Sequence, residues 1–402
     1  MKIAAFNVEN LFDRAKAFNE EEEGEAQRVI EAVVELNGLF EKDVYSDADK
    51  ARMVQLVDKL EFNRYNEGPL SLVRKIRGAI FKRPRIGGIE VVASGRDSWI
   101  GWAELKTAPV DEIAVMNTGR VIRDVDADIL AVVEAENRVV LSQFTEFILR
   151  KVEHEVEGVL RPYEEIMLID GNDKRGIDVG LMTKEGFRIG LMRSHVHDFP
   201  NDVSNDELAD DTLPEDLPAD KPVFSRDCPE YAVTTPSGEV IWVIPNHFKS
   251  KFGGNDQRSI DKRKAQSIFT RIIYDRLRND GHENIVVLGD LNDTPDSEPL
   301  QPLLSNSDLR DVSEHDLFDT GEFTGREGTD ERGIGTFGLG NDGDKIDYLL
   351  LSPALFDRVT AGGLFRKGAW PGSRPPRWTV YPELNEKVHV ASDHHVIWVE
   401  ID

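Results

Sequence analysis

Six stretches of the chain begin or end an apolar run with a residue type that binds hard cations or moves protons. FNVEN carries Asn7 and Glu9, and DILAVVEAEN ends at Glu134. IWVIPNHFKSK ends at Asn246 and His247, and NIVVLGDLND supplies Asp290 and Asn292. GDKIDYLLLSP opens with Asp347 and Tyr348, and ASDHHVIWVEI brings Asp393, His394 and His395. Each apolar run reads as a strand, and polar groups at strand ends can share one cleft. Residues i and i+2 of a strand point to the same side. Asp290 and Asn292 are therefore expected to face one point as the chain leaves the core. A single carboxylate at a strand end is ordinarily a solvated turn residue. Six such ends in one chain point to a common site.

The residue types define the chemistry. Magnesium and manganese prefer oxygen ligands: a few carboxylates, waters and substrate phosphate. Glu9, Glu134, Asp290, Asp393 and the amide oxygens of Asn7 and Asn292 fit that preference. Zinc would call for more His and Cys. Hydrolysis of a phosphate ester also needs a base for water. His394 fits if a carboxylate holds its other ring nitrogen, and Asp347 is the candidate. His247 and Asn292 are candidate donors to the phosphoryl oxygens. GDLNDTPD opens like a calcium loop, but Pro295 stands where that loop requires Gly.

The elements that must position these groups follow from periodicity. The first strand covers 2–8. After the acidic run 20–23, Val29, Ile30, Val33, Val34, Leu36 and Phe40 recur at helical spacing. A second helix begins near Ser46, and a third is predicted over 70–81. RIGGIEVVASGRDSWIGWAELK reads as a hairpin turning at GRD. Further helices are predicted over 111–124, 141–155 and 259–278. Strands are predicted in DADILAVVEAEN and near 164–169, 178–183, 230–234, 240–247, 285–288, 346–351 and 395–401. Residues 201–220 hold eight acidic residues and no Lys or Arg, the pattern of a mobile loop. His195 and His197, beside that loop, read as structural. Many strands with few helices imply two packed sheets with helices outside.

In this order the motifs resemble the endonuclease/exonuclease/phosphatase superfamily, the DNase I-like proteins. FNVENL resembles its first motif. DADILAVVEAEN resembles the segment ending in the metal-binding Glu, here Glu134, with Val133 where the family usually has Gln. RGIDVGLMTK resembles the central strand and puts Arg175 near the cleft. NHFKSK carries the family His at His247 and is most like the version in bacterial secreted-type nucleases. GDLND, DKIDYLLLSP and SDHH supply Asp290 with Asn292, Asp347, and Asp393 with His394. The resemblance implies a four-layer α/β sandwich, two packed mixed β-sheets flanked by helices. It implies one domain over 1–402, with 14–107 inserted after the first strand as a helical subdomain plus hairpin. It also implies Mg²⁺- or Mn²⁺-dependent hydrolysis of a phosphate ester. Glu134, Asn7, Glu9 and Asp393 would hold the ion, and Asp290 would align water or hold a second ion. His394, oriented by Asp347, would be the base.

Bulk properties bound the substrate. The chain has 402 residues, 40% hydrophobic and 31% charged, with a formal net charge of −26. Nothing approaches the roughly eighteen consecutive apolar residues of a membrane span. The N-terminus lacks the pattern of a signal peptide, and the single Cys228 excludes an internal disulfide. A cytoplasmic location is expected. Nucleic-acid binders usually carry excess Lys and Arg, so a polyanion would have to meet local basic segments or bound cations. One candidate segment holds Lys249, Lys251, Arg258, Arg263 and Lys264, with Asn246 and Lys249 nearest the cleft. A second holds Arg366, Lys367, Arg374 and Arg377, with Trp378 to stack on a base. The net charge itself favours a compact phosphate ester. Three readings stand: a nuclease, another phosphatase or phosphodiesterase, and a non-catalytic binding module. The sequence carries no signal for oligomeric state.

Overall fold

The computed structural model describes all residues except 10, 12–22, 63–65, 85–87, 107–110, 154–160, 174–175, 209–210, 252–255, 326–329 and 374. It divides into two compact units, residues 1–12 with 111–402, and residues 13–110.

The larger unit is built on two mixed sheets. The first has seven strands, in the spatial order Phe318–Asp319, Val359–Phe365, Val396–Ile401, Lys2–Asn7, Ile129–Ala135, Asp178–Lys184, Tyr163–Leu168. The second has six: Arg310–Asp311, Asp347–Leu351, Ile285–Asp290, Val240–His247, Glu230–Thr234, Arg188–Arg193. Period-two alternation divides each strand between two cores. Ile3, Ala5, Ile129, Ala131, Val286, Leu288, Leu349 and Leu351 meet in the layer between the sheets. Ala4, Phe6, Leu130 and Val132 face outward onto the helix Glu112–Val125, through Val115, Val121 and Ile122. Trp242, Ile244, Ile285 and Val287 face Ala265, Phe269 and Ile273 of the helix Gln257–Asn279. Helix, sheet, sheet and helix make the four layers. Each fully buried Val, Leu or Ile stabilises this arrangement by about 1.5–3 kcal/mol.

Local signals set the helix starts. Asp111 accepts from the N–H groups of Ile113 and Ala114, and Asp256 from that of Ser259. The helix expected over 141–155 is instead Arg138–Phe144, a π-helical turn Thr145–Leu149, and Arg150–Glu153. Four strands that the periodicity did not give, Arg188–Arg193, Arg310–Asp311, Phe318–Asp319 and Val359–Phe365, complete the sheets. The acidic 201–220 segment is more anchored than its composition implied. It holds a short helix, Asn205–Leu208, and buried Arg271 bonds Asp211 at 2.9 Å and the carbonyls of Glu207 and Leu208.

The smaller unit contains the helices Glu23–Phe40 and Asp47–Lys59, the second capped by Ser46. Residues 70–81 are not a helix. Ser71–Arg77 is a strand paired with Ile100–Leu105, while Phe81–Lys82 pairs with Glu90–Val91. The expected single hairpin is thus split between two ribbons. Phe40 and Trp99 pack edge to face at 4.8 Å, and the Trp99 indole donates to Tyr45 at 2.8 Å. No helix among the described residues is long and apolar enough to cross a membrane.

His195 is structural. Its Nδ1 lies 2.7 Å from Asp198 and its Nε2 2.6 Å from Glu230, which also meets Arg276 and Arg193. Burial opposes its charge, but the bonds and charges of Asp198 and Glu230 outweigh it and lift the imidazole to about 9. A raised folded-state pKa contributes stability that is complete below the unfolded value, 6.5, and lost as pH rises through about 9. The stability advantage of the wild type over His195→Gln should therefore shrink between pH 6.5 and 9.5. Urea unfolding at three pH values measures it, and a pH-independent gap would count against a charged His195.

Candidate active site

The functional side chains are continuations of the inter-sheet layer. Asn7 follows Ile3 and Ala5 on one face of its strand, Asp290 follows Val286 and Leu288, and Asp347 precedes Leu349 and Leu351. His247 follows Ile241 and Val243 in the same way. Where the apolar layer runs out, these four groups close its end, all of them buried. Asp290 stands opposite both His247 and Asp347 in the ladder, so three of them share one line across the second sheet.

Glu134 arrives by a different route. By alternation it belongs with Leu130 and Val132, on the helix side. A bulge between Val133 and Ala135, with Glu134 at φ 65°, turns it the other way. Its Oε1 lies 3.5 Å from His247 Nε2, which is also 3.8 Å from Asp290 Oδ2. Glu9 and Asn292 share the left-handed backbone, at φ 51° and 54°. Non-glycine residues held there cost of order 1–3 kcal/mol and cluster at functional sites.

His394 completes the group. Its Nδ1 is 2.8 Å from Asp347 Oδ2. Its Nε2 points at the remaining polar groups, 3.4 Å from Asn7 Nδ2, 4.0 Å from Asp290 Oδ2 and 3.8 Å from Asp393 Oδ1. Burial alone would strip its proton, but Asp347, Asp290 and Asp393 outweigh burial and hold the imidazole well above its ordinary value. Burial, with the charges of Asp347 and Glu134, pushes the Asp290 carboxyl up to about 8. Among the described residues, Asp290, Asp347 and His394 offer ligand atoms within 4.8 Å of one another. With Glu134 beside Asp290, this crowd of carboxylates is a donor set for a hard divalent cation.

Several sequence expectations need correction. Asn292 does not continue the strand past Asp290. Its N–H folds back to Asp290 Oδ1 at 2.8 Å and its amide donates to the Phe248 carbonyl at 3.2 Å. Asn7 gives its amide oxygen to the Glu9 N–H at 3.0 Å and turns its NH₂ towards Asp290 Oδ2 at 3.2 Å. Asn246 points away from the cleft, because it alternates with His247; its amide oxygen accepts from Thr270 on the helix side. Glu9 accepts from the Asp393 N–H at 3.2 Å, tying the first strand to the segment that carries His394. Lys249 donates to the Ser250 carbonyl at 3.3 Å. Arg175 lies outside the described residues, as does Arg374.

Both expected basic tracks are partly neutralised or buried, although Arg258 and Lys367 are exposed. Lys251 and buried Arg263 both bind Asp293, and Lys264 binds Glu298 at 2.6 Å. Arg366 is buried, and Trp378 is 6% exposed, its ring 5.0 Å from His395. That indole cannot stack on a base.

Two positioning residues were missed. Thr336 Oγ1 accepts from the N–H groups of Ile346 and Asp347, and its carbonyl accepts from the His395 N–H at 2.7 Å. The Phe337 ring packs edge-on against His394 at 5.1 Å. The only sequence signal was a GTFG turn ahead of Asp347.

The family model described as the Endonuclease/Exonuclease/phosphatase family matches residues 84–365. The chain belongs to that family. Membership places this endonuclease/exonuclease/phosphatase protein among hydrolases of phosphate esters. No curated protein matches the chain. Solved structures similar to it include mannosyl-6-phosphatase from Bacteroides thetaiotaomicron, at 14% identity, 72% of this chain, 90% of that one and TM-score 0.42. Truncated TDP2 from Caenorhabditis elegans gives 12%, 71%, 90% and 0.41. The catalytic domain of human Nocturnin gives 13%, 73%, 88% and 0.45. Likenesses this distant carry no argument about substrate.

The strand end of this family member rests on one glycine. Gly289 has φ 122°, and a Cβ there would lie 2.2 Å from the Asn246 carbonyl oxygen. Gly289→Ala should lose at least about 1–3 kcal/mol of stability and displace Asp290. Denaturant unfolding checks it, and an unchanged midpoint would remove the claim.

Proposed function

We propose that the protein is a divalent-metal-dependent phosphodiester hydrolase acting on nucleic acid. The observation that carries this reading is the gathering of Asn7, Glu134, His247, Asp290 and the His394–Asp347 pair at one end of the sandwich, 2.8 Å separating the pair. Asp347 holds Nδ1 of His394, which leaves Nε2 to take a proton from water. Asp290, 4.0 Å from that nitrogen, aligns the water. His247, between Glu134 and Asp290, donates to a phosphoryl oxygen. Glu134 and Asp290 would hold the ion, Asn7 steadies Asp290 through its NH₂, and Glu9 and Asp393 lie on the rim. When bound, a magnesium or manganese ion supplies charge that offsets the developing phosphoryl charge and relieves the carboxylate field on His394.

Nucleic acid is preferred because NHFKSK delivers His247 to the cleft and Lys249 just beyond it. A compact phosphate ester is the second reading, favoured by the −26 charge and by the ion-paired cations described above. Both differ from a binding module, which needs no base.

His394→Ala should lower turnover at least ~10²-fold, and Asp347→Asn should follow it; near-normal rates in the first variant would refute the base. Chelation should abolish activity, and its persistence would end the metal assignment. Plasmid, single strands and RNA with Mg²⁺ or Mn²⁺, beside p-nitrophenyl phosphate and its bis-ester, separate the readings. Nicked or degraded polymer supports the first, and turnover of the mono-ester alone replaces it with the second.

A further inference from the structure

The acidity of the chain is unevenly distributed. Residues 70–106 hold eight Lys and Arg against three Asp and Glu, a net charge of +5 in a chain of −26. The preceding residues 13–69 hold fifteen acidic residues against eight basic. Three of those eight cations, Arg74, Lys75 and Arg77, lie on one defined element. Ser71–Arg77 and Ile100–Leu105 make a two-stranded antiparallel ribbon. Its inner face, through Val73 and Ala103, joins the core of the smaller unit. One edge is closed by Asn37, which pairs with the Ala103 N–H and carbonyl at 2.7 and 2.8 Å.

The outer face is different. Arg74 stands directly opposite Trp102, and Glu104 binds both, Arg74 Nε at 2.6 Å and the indole N–H at 3.0 Å. The indole is therefore fixed in orientation while 43% exposed. The register shifts between Lys75 and Arg77, so Ile76 is bulged outward and 66% exposed. Arg74, opposite Trp102, and Arg77, opposite Ile100, thus share the face of the held aromatic ring, while Lys75, opposite Gly101, is on the other. A cationic surface with an exposed, oriented ring is what single-stranded nucleic acid requires: phosphate neutralisation along the backbone and a platform for a base.

We propose that this ribbon is a binding surface for single-stranded nucleic acid, with Arg77 on a phosphate and Trp102 under a base. The inference rests on the nuclease reading and deepens it, because it assigns polymer capture to the smaller unit. Charge complementarity selects this occupant. An anionic bilayer would have to seat the Glu104 carboxylate that holds the ring, whereas a strand stacks on the ring beside it.

The test uses the full chain, a fluorescein-labelled 20-nucleotide strand and EDTA, so that binding is read without cleavage. Arg77→Ala should flatten the dependence of log binding constant on log salt by about 0.7, the value of one contact. Trp102→Ala should bind about 5- to 150-fold more weakly, the value of one stacked base, and Trp102→Phe should recover much of that loss. All three should keep the wild-type unfolding midpoint and the wild-type rate on bis(p-nitrophenyl) phosphate. Wild-type affinity and salt slope in the variants, with polymer cleavage intact, would overturn the ribbon and leave the nuclease reading standing. A wild type that turns over the small ester but neither binds nor cleaves the strand would overturn both. Binding to phosphatidylserine vesicles, without binding to the strand, would overturn the inference in favour of a membrane surface.

Discussion

The active end of the larger unit depends on one packing constraint: two sheets must share a single apolar layer. Ile3 and Ala5, Val286 and Leu288, Leu349 and Leu351, and Ile241 and Val243 are obliged to meet there. Once they do, the next residue on the same side of each strand is carried to the margin of the layer. Asn7, Asp290, Asp347 and His247 need no separate mechanism to converge. A one-residue slip in any of these strands would exchange its layer face for its helix face, which the buried helices on the far sides forbid. Placing the groups on strands rather than loops also gives them rotamers fixed by packing.

The same rule explains how much could be read in advance. Apolar runs and their period gave the main strands, the layered architecture and most of the convergent residues. Asn246 could have been placed correctly by that rule, since a residue beside His247 faces the opposite core. Elsewhere the rule itself fails. Glu134 and Asn292 have left-handed backbones, and a left-handed residue ends the alternation on which the reading rests. Residues 70–81 spaced Leu70, Val73, Ile76 and Ile80 as a helix would, yet pairing with Ile100–Leu105, a non-local contact, prevails over that pattern. Arg188–Arg193 escaped notice because an exposed edge strand has little apolar alternation to reveal it.

Electrostatics gives the two units contrasting characters. In the larger one, cations are largely matched: Arg263 and Lys251 to Asp293, Arg271 to Asp211, Lys345 to Asp311. At the cleft carboxylates crowd together, and burial with the charges of Asp347 and Glu134 pushes the Asp290 carboxyl up to about 8 despite His394 beside it. Such a cleft suits a small, highly charged cation and repels an unaccompanied polyanion. A long substrate then has to be drawn by some other part of the chain.

The strands Lys2–Asn7 and Val396–Ile401 are neighbours inside the first sheet, although their ends lie 400 positions apart in sequence. During synthesis, the N-terminal strand therefore waits beside an empty place until the strand Val396–Ile401 has been made. As Asn7, Glu134, His247, Asp290 and Asp347 are added in turn, none of them yet has His394 to serve it. Loop closure over such a span is slow. The constellation is consequently incomplete until the last strand of the sheet has docked beside the first.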